Sequence, residues 1–415
     1  MSGCVEINET ERDALIQYYL RLIGTEIQMY DKIHVYIYQI LCLLGVPLNI
    51  LIIVVLLRPQ MRKNPFNLYL IVIAICDLIL MANYYIFHFI ERCHPYYYTY
   101  IWIIYTKLYA ITSVLLHSLS LWLTVIMAIH RYIVVKNSNG TQSKISWNSY
   151  KITLLGIGIA ICISLIGSTP NTLRYEIQDN GLVGAEPRCL VKGGKYAHYY
   201  TESSQIEAYQ FVRPNFWNCN WERLTFWIAG LLLKVIPCML LTIFMTLLVR
   251  ILIKARERRN RLCGSRTIPC TAKTQAERTT AMLTIIVAVF LVTELPQGLL
   301  ILIKGVYAAT EVIHLYLGQF LDFLALLNSS VNFILYTTMS YQFRSQFIET
   351  FATYLPKTFE RISGSESIAT NVLPSKIVRD GSQNNNSTFN QSKVHLLSST
   401  ANLQGKDLKG QIDEV

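Results

Sequence analysis

Residues 35–57 read VYIYQILCLLGVPLNILIIVVLL. None of them carries a charge, and the run has the length of a membrane-crossing helix. A bilayer core about 30 Å thick needs about 20 apolar residues. Similar windows recur at roughly Asn67–Ile90, Tyr100–Val134, Ile152–Pro170, Leu224–Leu252, Thr280–Leu302 and Val312–Met339. Seven helical spans are therefore expected, and none of the windows alternates with the two-residue period of a transmembrane β-barrel. Only 15% of the chain is charged and its mean hydropathy is +0.34, against about 25% charge in a soluble domain. The expected fold is an all-α membrane protein: an N-terminal segment (1–34), a seven-span bundle (35–339), a juxtamembrane helix (340–355) and a polar tail (356–415).

The net charge of +11 is clustered. Arg58, Arg62 and Lys63 follow the first span, Lys136 and Lys144 the third, and Lys254, Arg256, Arg258, Arg259, Arg261, Arg266 and Lys273 the fifth. By the positive-inside rule these loops are cytosolic. The first 33 residues are polar, carry Glu6, Glu9, Glu11, Asp13, Glu26 and Asp31, and show no signal peptide. The first span then serves as insertion signal, with the N-terminus outside the cell and the C-terminus inside. The basic rim belongs to this topology, and no nucleic-acid partner is expected. Of ten cysteines, Cys4, Cys93, Cys189 and Cys219 fall on the oxidising side, where three full pairings are open. Asn8 opens an acceptor pattern for glycosylation on that side.

The 171–221 connection, with Gly181, Gly184, Gly193 and Gly194, reads either as a β-hairpin lid or as a mobile loop. Phe343, Phe347 and Phe351 share one face of an amphipathic helix on the inner leaflet. The tail after Leu355 is rich in Ser, Thr, Asn and Gln and is expected to be disordered. Its serines are candidate targets of receptor kinases and arrestin, and Val415 ends a candidate PDZ ligand.

Ionisable residues inside a membrane are costly and mark function or pairing. Asp77 is expected beside Asn49, Ser120, Asn328, Ser329 and Asn332. That set reads as a site for a hard cation such as sodium, or as a hydrogen-bonded network without an ion. Lys234 and Glu294 lie in the fifth and sixth spans, near Pro237 and Pro296, which bend their helices. They form an interhelical pair, or a pair whose partners the ligand exchanges. Asp322 and Glu91 lie toward the outer ends of the seventh and second spans and would give a negative cavity for a cationic ligand. No His/Asp clustering of the kind a membrane metalloenzyme needs is visible, so neither catalysis nor a bound metal is expected. No inverted repeat suggests a transporter. The seventh window has no lysine to hold retinal.

Gly45-Val46-Pro47-Leu48-Asn49, His130-Arg131-Tyr132 and Asn332-Phe333-Ile334-Leu335-Tyr336 fall in the first, third and seventh spans. In order and spacing they resemble motifs of rhodopsin-like G-protein-coupled receptors. Phe290 stands where that family has an aromatic below its sixth-span switch. The sequence departs from the family at several positions. His130 replaces an acid, which implies a raised basal activity. Phe333 replaces a proline, Glu294 a tryptophan, and Thr106 the cysteine of the usual disulfide. Cys93, paired with Cys189 or Cys219, is the expected substitute. Lys63–Leu68, Trp122–Val125, Lys234–Cys238, Glu277–Thr280, Leu327–Asn332 and Thr293-Glu294-Leu295-Pro296-Gln297-Gly298 resemble invertebrate, especially nematode, myosuppressin and FMRFamide-like peptide receptors. That resemblance implies an amidated Arg-Phe peptide as agonist and the inhibitory class of heterotrimeric G protein. The peptide's arginine would approach Asp322 or Glu294, its phenylalanine Tyr84 or Tyr109, and its amide His117 and Gln297. Helix movement at Pro296 would expose Arg131. The alternative is a nematode chemosensory receptor for a small molecule.

Overall fold

The computed structural model describes residues 9–90, 93–138, 149–191, 194–263, 272–306, 310–339 and 341–351. Seven helices are long and apolar enough to cross a membrane: Lys32–Leu56, Phe66–Phe89, Tyr100–Lys136, Tyr150–Leu173, Cys219–Ala255, Thr284–Val306 and Leu317–Ile334. They pack as one bundle, and an eighth, short helix follows at Tyr341–Phe351. The first helix begins at Glu9, well before its apolar stretch. Asn8, Glu91 and Val415 lie outside the described residues, as do residues 356–415 and the loop segments with Lys144 and Arg266.

The spans expose apolar side chains outward and bury small and polar ones inward. Ile159, Leu165 and Ile166 of the fourth span are exposed, whereas Ser164 and Ser168 are buried. That inversion is expected where the surroundings are lipid and helices meet through small and polar residues.

Between the fourth and fifth spans, β1 (Glu176–Gly184) pairs antiparallel with β2 (Gln205–Val212). The connection is therefore a hairpin rather than an unstructured loop. Its register shifts between Asp179 and Leu182, where Gly181 takes φ +67°, a conformation that strains other residues. The hairpin base is tied to the fifth span. Glu222 accepts hydrogen bonds from Arg174, from Arg213 at 3.1 Å and from the Trp217 indole at 2.6 Å. Cys93 bonds to Cys189, Cα–Cα 5.4 Å, so the second span is joined to the hairpin. Cys219 is disulfide-bonded as well.

At the opposite end the short helix packs inward on its aromatic face. Phe343 is 1% exposed, and Phe333 meets it at 6.3 Å and Phe347 at 6.1 Å between ring centroids. The residue that replaces the seventh-span proline is thus the anchor of the short helix. Phe343→Ala should cost about 3 kcal/mol, as for a buried aromatic. Ser345→Ala, at an exposed position, should stay within about 0.5 kcal/mol. Thermal unfolding of the two variants in detergent checks this; equal midpoints would show that the helix is not packed.

Candidate functional site

The bundle encloses a cavity of about 260 Å³ near the hairpin end. Its lining includes Tyr84 from the second span, Tyr109, Ser113 and His117 from the third, Lys234 from the fifth, Gln297 and Ile301 from the sixth, and Asp322 and Leu326 from the seventh. Five of the seven expected ligand-binding residues therefore meet in one place. Glu91 is outside the described residues, and Glu294 lies behind the wall.

Glu294 is 0% exposed. Its Oε2 accepts hydrogen bonds from Lys234 Nζ at 2.6 Å and His117 Nε2 at 2.9 Å, and its Oε1 accepts from Asn328 Nδ2 at 3.3 Å. One carboxylate thus joins four spans. It has no face left for a ligand, so its part is to hold the cavity floor. Gln297 is also committed: Oε1 accepts from Lys234 at 3.0 Å and Nε2 donates to the Leu321 carbonyl at 2.6 Å.

Two backbone features make this contact possible. The fifth span is wound as a π-helix over Ile228–Val235, immediately before Pro237. Proline has no N–H to continue the α-helical ladder, and π-segments commonly occur at functional sites. The wider turn directs Lys234 inward, and the Trp122 indole donates to the Leu232 carbonyl at 3.2 Å. Opposite it stands Gly298. A Cβ there would lie 2.8 Å from Lys234 Cβ and 3.1 Å from Val235 Cγ2, so glycine admits the close approach of the two spans.

Asp322 is open to the cavity. Its hydrogen bond comes from Tyr84 Oη at 3.4 Å, and it has no ion pair among the described residues. Tyr84 also meets His34 Nε2 at 3.0 Å, and His34 Nδ1 meets Tyr30 Oη at 3.1 Å. His34 is 2% exposed. In the sequence it stood at a helix end with no sign of a role. The i, i+4 spacing of Tyr30 and His34 is the one available clue that both face the same neighbour. Tyr109 stacks on Phe87 at 4.4 Å.

Deeper in the bundle, Asp77 accepts from Ser120 at 3.4 Å, Ser329 at 3.1 Å and Asn332 at 2.8 Å. Asn49 turns away, donating to the Gly45 carbonyl and toward Met81, and Asn328 serves Glu294 instead. Asp77 and its three donors form one hydrogen-bonded cluster. Among the described residues no group of three or more His, Cys, Asp or Glu is placed to hold a metal. Phe290 is buried below Glu294, one turn before it in the same helix. Pro296 stays within a continuous helix, Ala272–Val306.

At the far end His130 is buried between Phe66, 4.7 Å away, and Tyr69, whose hydroxyl is 3.5 Å from Nδ1. The Arg131 guanidinium lies over the Phe66 ring at 5.5 Å, and Tyr132 contacts Phe244. Tyr336 lies in the seventh helix, but its side chain is outside the described residues.

A seven-span bundle with a polar cavity toward one end and His130-Arg131-Tyr132 at the other has the architecture of a G-protein-coupled receptor. The chain belongs to the serpentine type 7TM GPCR chemoreceptor Srw family, whose model matches residues 36–353. It is 32% identical over 380 residues to the Caenorhabditis elegans G-protein coupled receptor dmsr-1, covering 78% of this chain and 68% of that one. It is 24% identical to the Drosophila melanogaster sex peptide receptor (73% and 68% covered) and 22% identical to the Drosophila melanogaster FMRFamide receptor (75% and 52% covered).

Removing Lys234 strands a buried carboxylate, so Lys234→Ala should cost about 3–5 kcal/mol. Lys234→Met with Glu294→Leu removes both charges, and should unfold at a higher temperature than either single variant. Additive losses in that double-mutant cycle would mean that the pair is not coupled.

Proposed function

We propose that the chain is a cell-surface receptor whose ligand carries a positive charge, held by Asp322 between aromatic walls. One observation carries this reading: Asp322 is a carboxylate that lines the cavity, hydrogen-bonded to a tyrosine hydroxyl and in no ion pair among the described residues. A buried guanidinium or ammonium needs such a partner. The orientation proposed puts the hairpin outside, because disulfides persist in oxidising compartments and the basic loops belong to the other face.

Two ligand classes fit. The family description, chemoreceptor, covers most of the chain and favours a small external molecule. A cavity of about 260 Å³ suits that class well. Relatives named for the sex peptide and FMRFamide support a peptide whose cationic end enters the cavity while the remainder lies against the hairpin. In either case the ligand favours one of two bundle states by its differential affinity. The sixth span would pivot at Pro296 and open Arg131 to a heterotrimeric G protein, with the inhibitory class as the leading choice. Arrestin and receptor kinases would act on the tail.

Calcium and cAMP readouts in cells expressing the chain, screened with amidated peptides, their free acids and cationic small molecules, test the reading. Activation by arginine peptides should fall at least tenfold in Asp322→Asn, while citrulline analogues change little. Equal losses for both would remove Asp322 from cation binding. Response to small molecules alone would establish the chemoreceptor class. A second outcome concerns His130, which stands where rhodopsin-like receptors have an acid before the arginine. His130→Asp should lower agonist-free signalling at equal surface expression, and no change would exclude that restraint.

A further inference from the structure

We infer that His34 is a proton-binding site coupled through Tyr84 to Asp322, so that a proton entering at the hairpin end and a cation in the cavity oppose each other. The proton site stands on its own geometry. Its effect on a ligand rests on the reading that Asp322 holds a cation.

Three hydrogen bonds form a continuous chain across the first, second and seventh helices. Tyr30 Oη lies 3.1 Å from His34 Nδ1, His34 Nε2 lies 3.0 Å from Tyr84 Oη, and Tyr84 Oη lies 3.4 Å from Asp322 Oδ2. The inner end of the chain is part of the cavity wall, to which Tyr84 and Asp322 both belong. The outer end is the half-buried Tyr30, one turn before His34 and beside Phe320. His34 itself is 2% exposed. A proton therefore reaches it through Tyr30, whose hydroxyl passes its own proton to Nδ1 and takes another from solvent.

The Tyr84 hydroxyl has one proton and two neighbours that can accept it. With His34 neutral, that proton goes either to Nε2 or to Asp322. Protonation of His34 leaves one arrangement, because an imidazolium has two donors and no acceptor. Nε2 then donates to Tyr84 Oη, Nδ1 donates to Tyr30 Oη, and the Tyr84 proton is fixed on Asp322. Either neutral form reaches this state by turning hydroxyls, and the chain keeps all three hydrogen bonds. A buried cation is tolerable when its donors are satisfied and a carboxylate stands close by.

Other titratable groups face the chain from each side. Tyr38 packs on His34 from the same helix, and Cys42 faces Tyr84 from one turn further on. His88 on the second span packs on Tyr84 and Tyr38. Tyr109 on the third span and Lys234 on the fifth act on Asp322 from the cavity. Among the described residues His88 makes ring contacts and no hydrogen bond, so His34 is the histidine joined to the acid.

A cation at Asp322 repels a proton on His34, and by linkage the proton weakens the cation by the same factor. Affinity for the cation is full while His34 is neutral. It falls as acid protonates the ring, in the range where histidines titrate. Acidification thus releases a cationic ligand.

The test uses the full chain in detergent, with 13C in its eight histidines. The ring signal of His34 is the one lost in His34→Gln. It should titrate between pH 5 and 8, and Asp322→Asn should weaken its proton binding about tenfold by removing the nearby charge. Tyr30→Phe removes one acceptor outside the cavity and should weaken it about threefold; it carries the test if Asp322→Asn fails to fold. The second readout is stabilisation by acetyl-argininamide, whose charge is constant over this range. The concentration needed to raise the unfolding midpoint should increase about tenfold from pH 8 to pH 5, and that increase should be about threefold smaller in His34→Gln.

A His34 signal that stays constant from pH 5 to 8, or titrates identically in the Asp322 and Tyr30 variants, overturns the inference. An increase unchanged in His34→Gln also overturns it, by placing the effect of acid on Asp322 itself. If His34 titrates in step with Asp322 but acetyl-argininamide stabilises the protein at neither pH, the proton site stands and the reading of Asp322 as a cation site is overturned.

Discussion

The buried carboxylate of Glu294 is the constraint on which the bundle core depends. A charge with no exposure is tolerable only when cations and donors surround it. Here they come from three other spans: His117, Lys234 and Asn328. Each imposes a demand on its helix. Lys234 reaches inward because the fifth span is π-wound, and Gly298 lets that span lie against the sixth. The cavity floor, its polarity and the interhelical spacing all follow from satisfying one acid.

A second acid lies below it. Asp77 gathers Ser120, Ser329 and Asn332, and the adjacent residues Asn328 and Ser329 divide between the two carboxylates. A shift of the seventh helix cannot leave one cluster unchanged while repacking the other. Polar networks of this kind are rigid when every member is satisfied, and costly in intermediate arrangements. This favours two discrete states over a graded deformation, which is what a receptor requires.

The departures from the rhodopsin-like pattern have local explanations. Phe333 anchors the short helix in place of a kinking proline. Cys93 supplies the tie to the hairpin in place of a third-span cysteine, while Thr106 bonds its own helix at the Trp102 carbonyl. His130 packs between Phe66 and Tyr69 rather than pairing with Arg131. The last exchange has a visible shortfall, since His130 Nε2 is buried with no hydrogen-bond partner among the described residues.

The sequence by itself determined the seven spans, because crossing a bilayer requires a length and an apolarity that each window displays without reference to any other. It also marked Asp77, Lys234, Glu294 and Asp322 as consequential, since a charge in a membrane segment has no inexpensive place. It put Lys234 and Glu294 at a shared depth beside two prolines, and the structure holds them 2.6 Å apart. It did not reveal the π-wound segment, the roles of His34 and Trp122, the choice of Cys189 as the partner of Cys93, or the division of Asn328 and Ser329 between two acids. These depend on how helices are rotated and how far apart they stand. Rotation and spacing are decided jointly, by close contacts such as Gly298 on Lys234 and by the need to satisfy every buried polar group at once. No single segment contains that information, and for this reason only the tertiary structure separates Asp322, which lines the cavity, from Glu294, which is buried behind its wall.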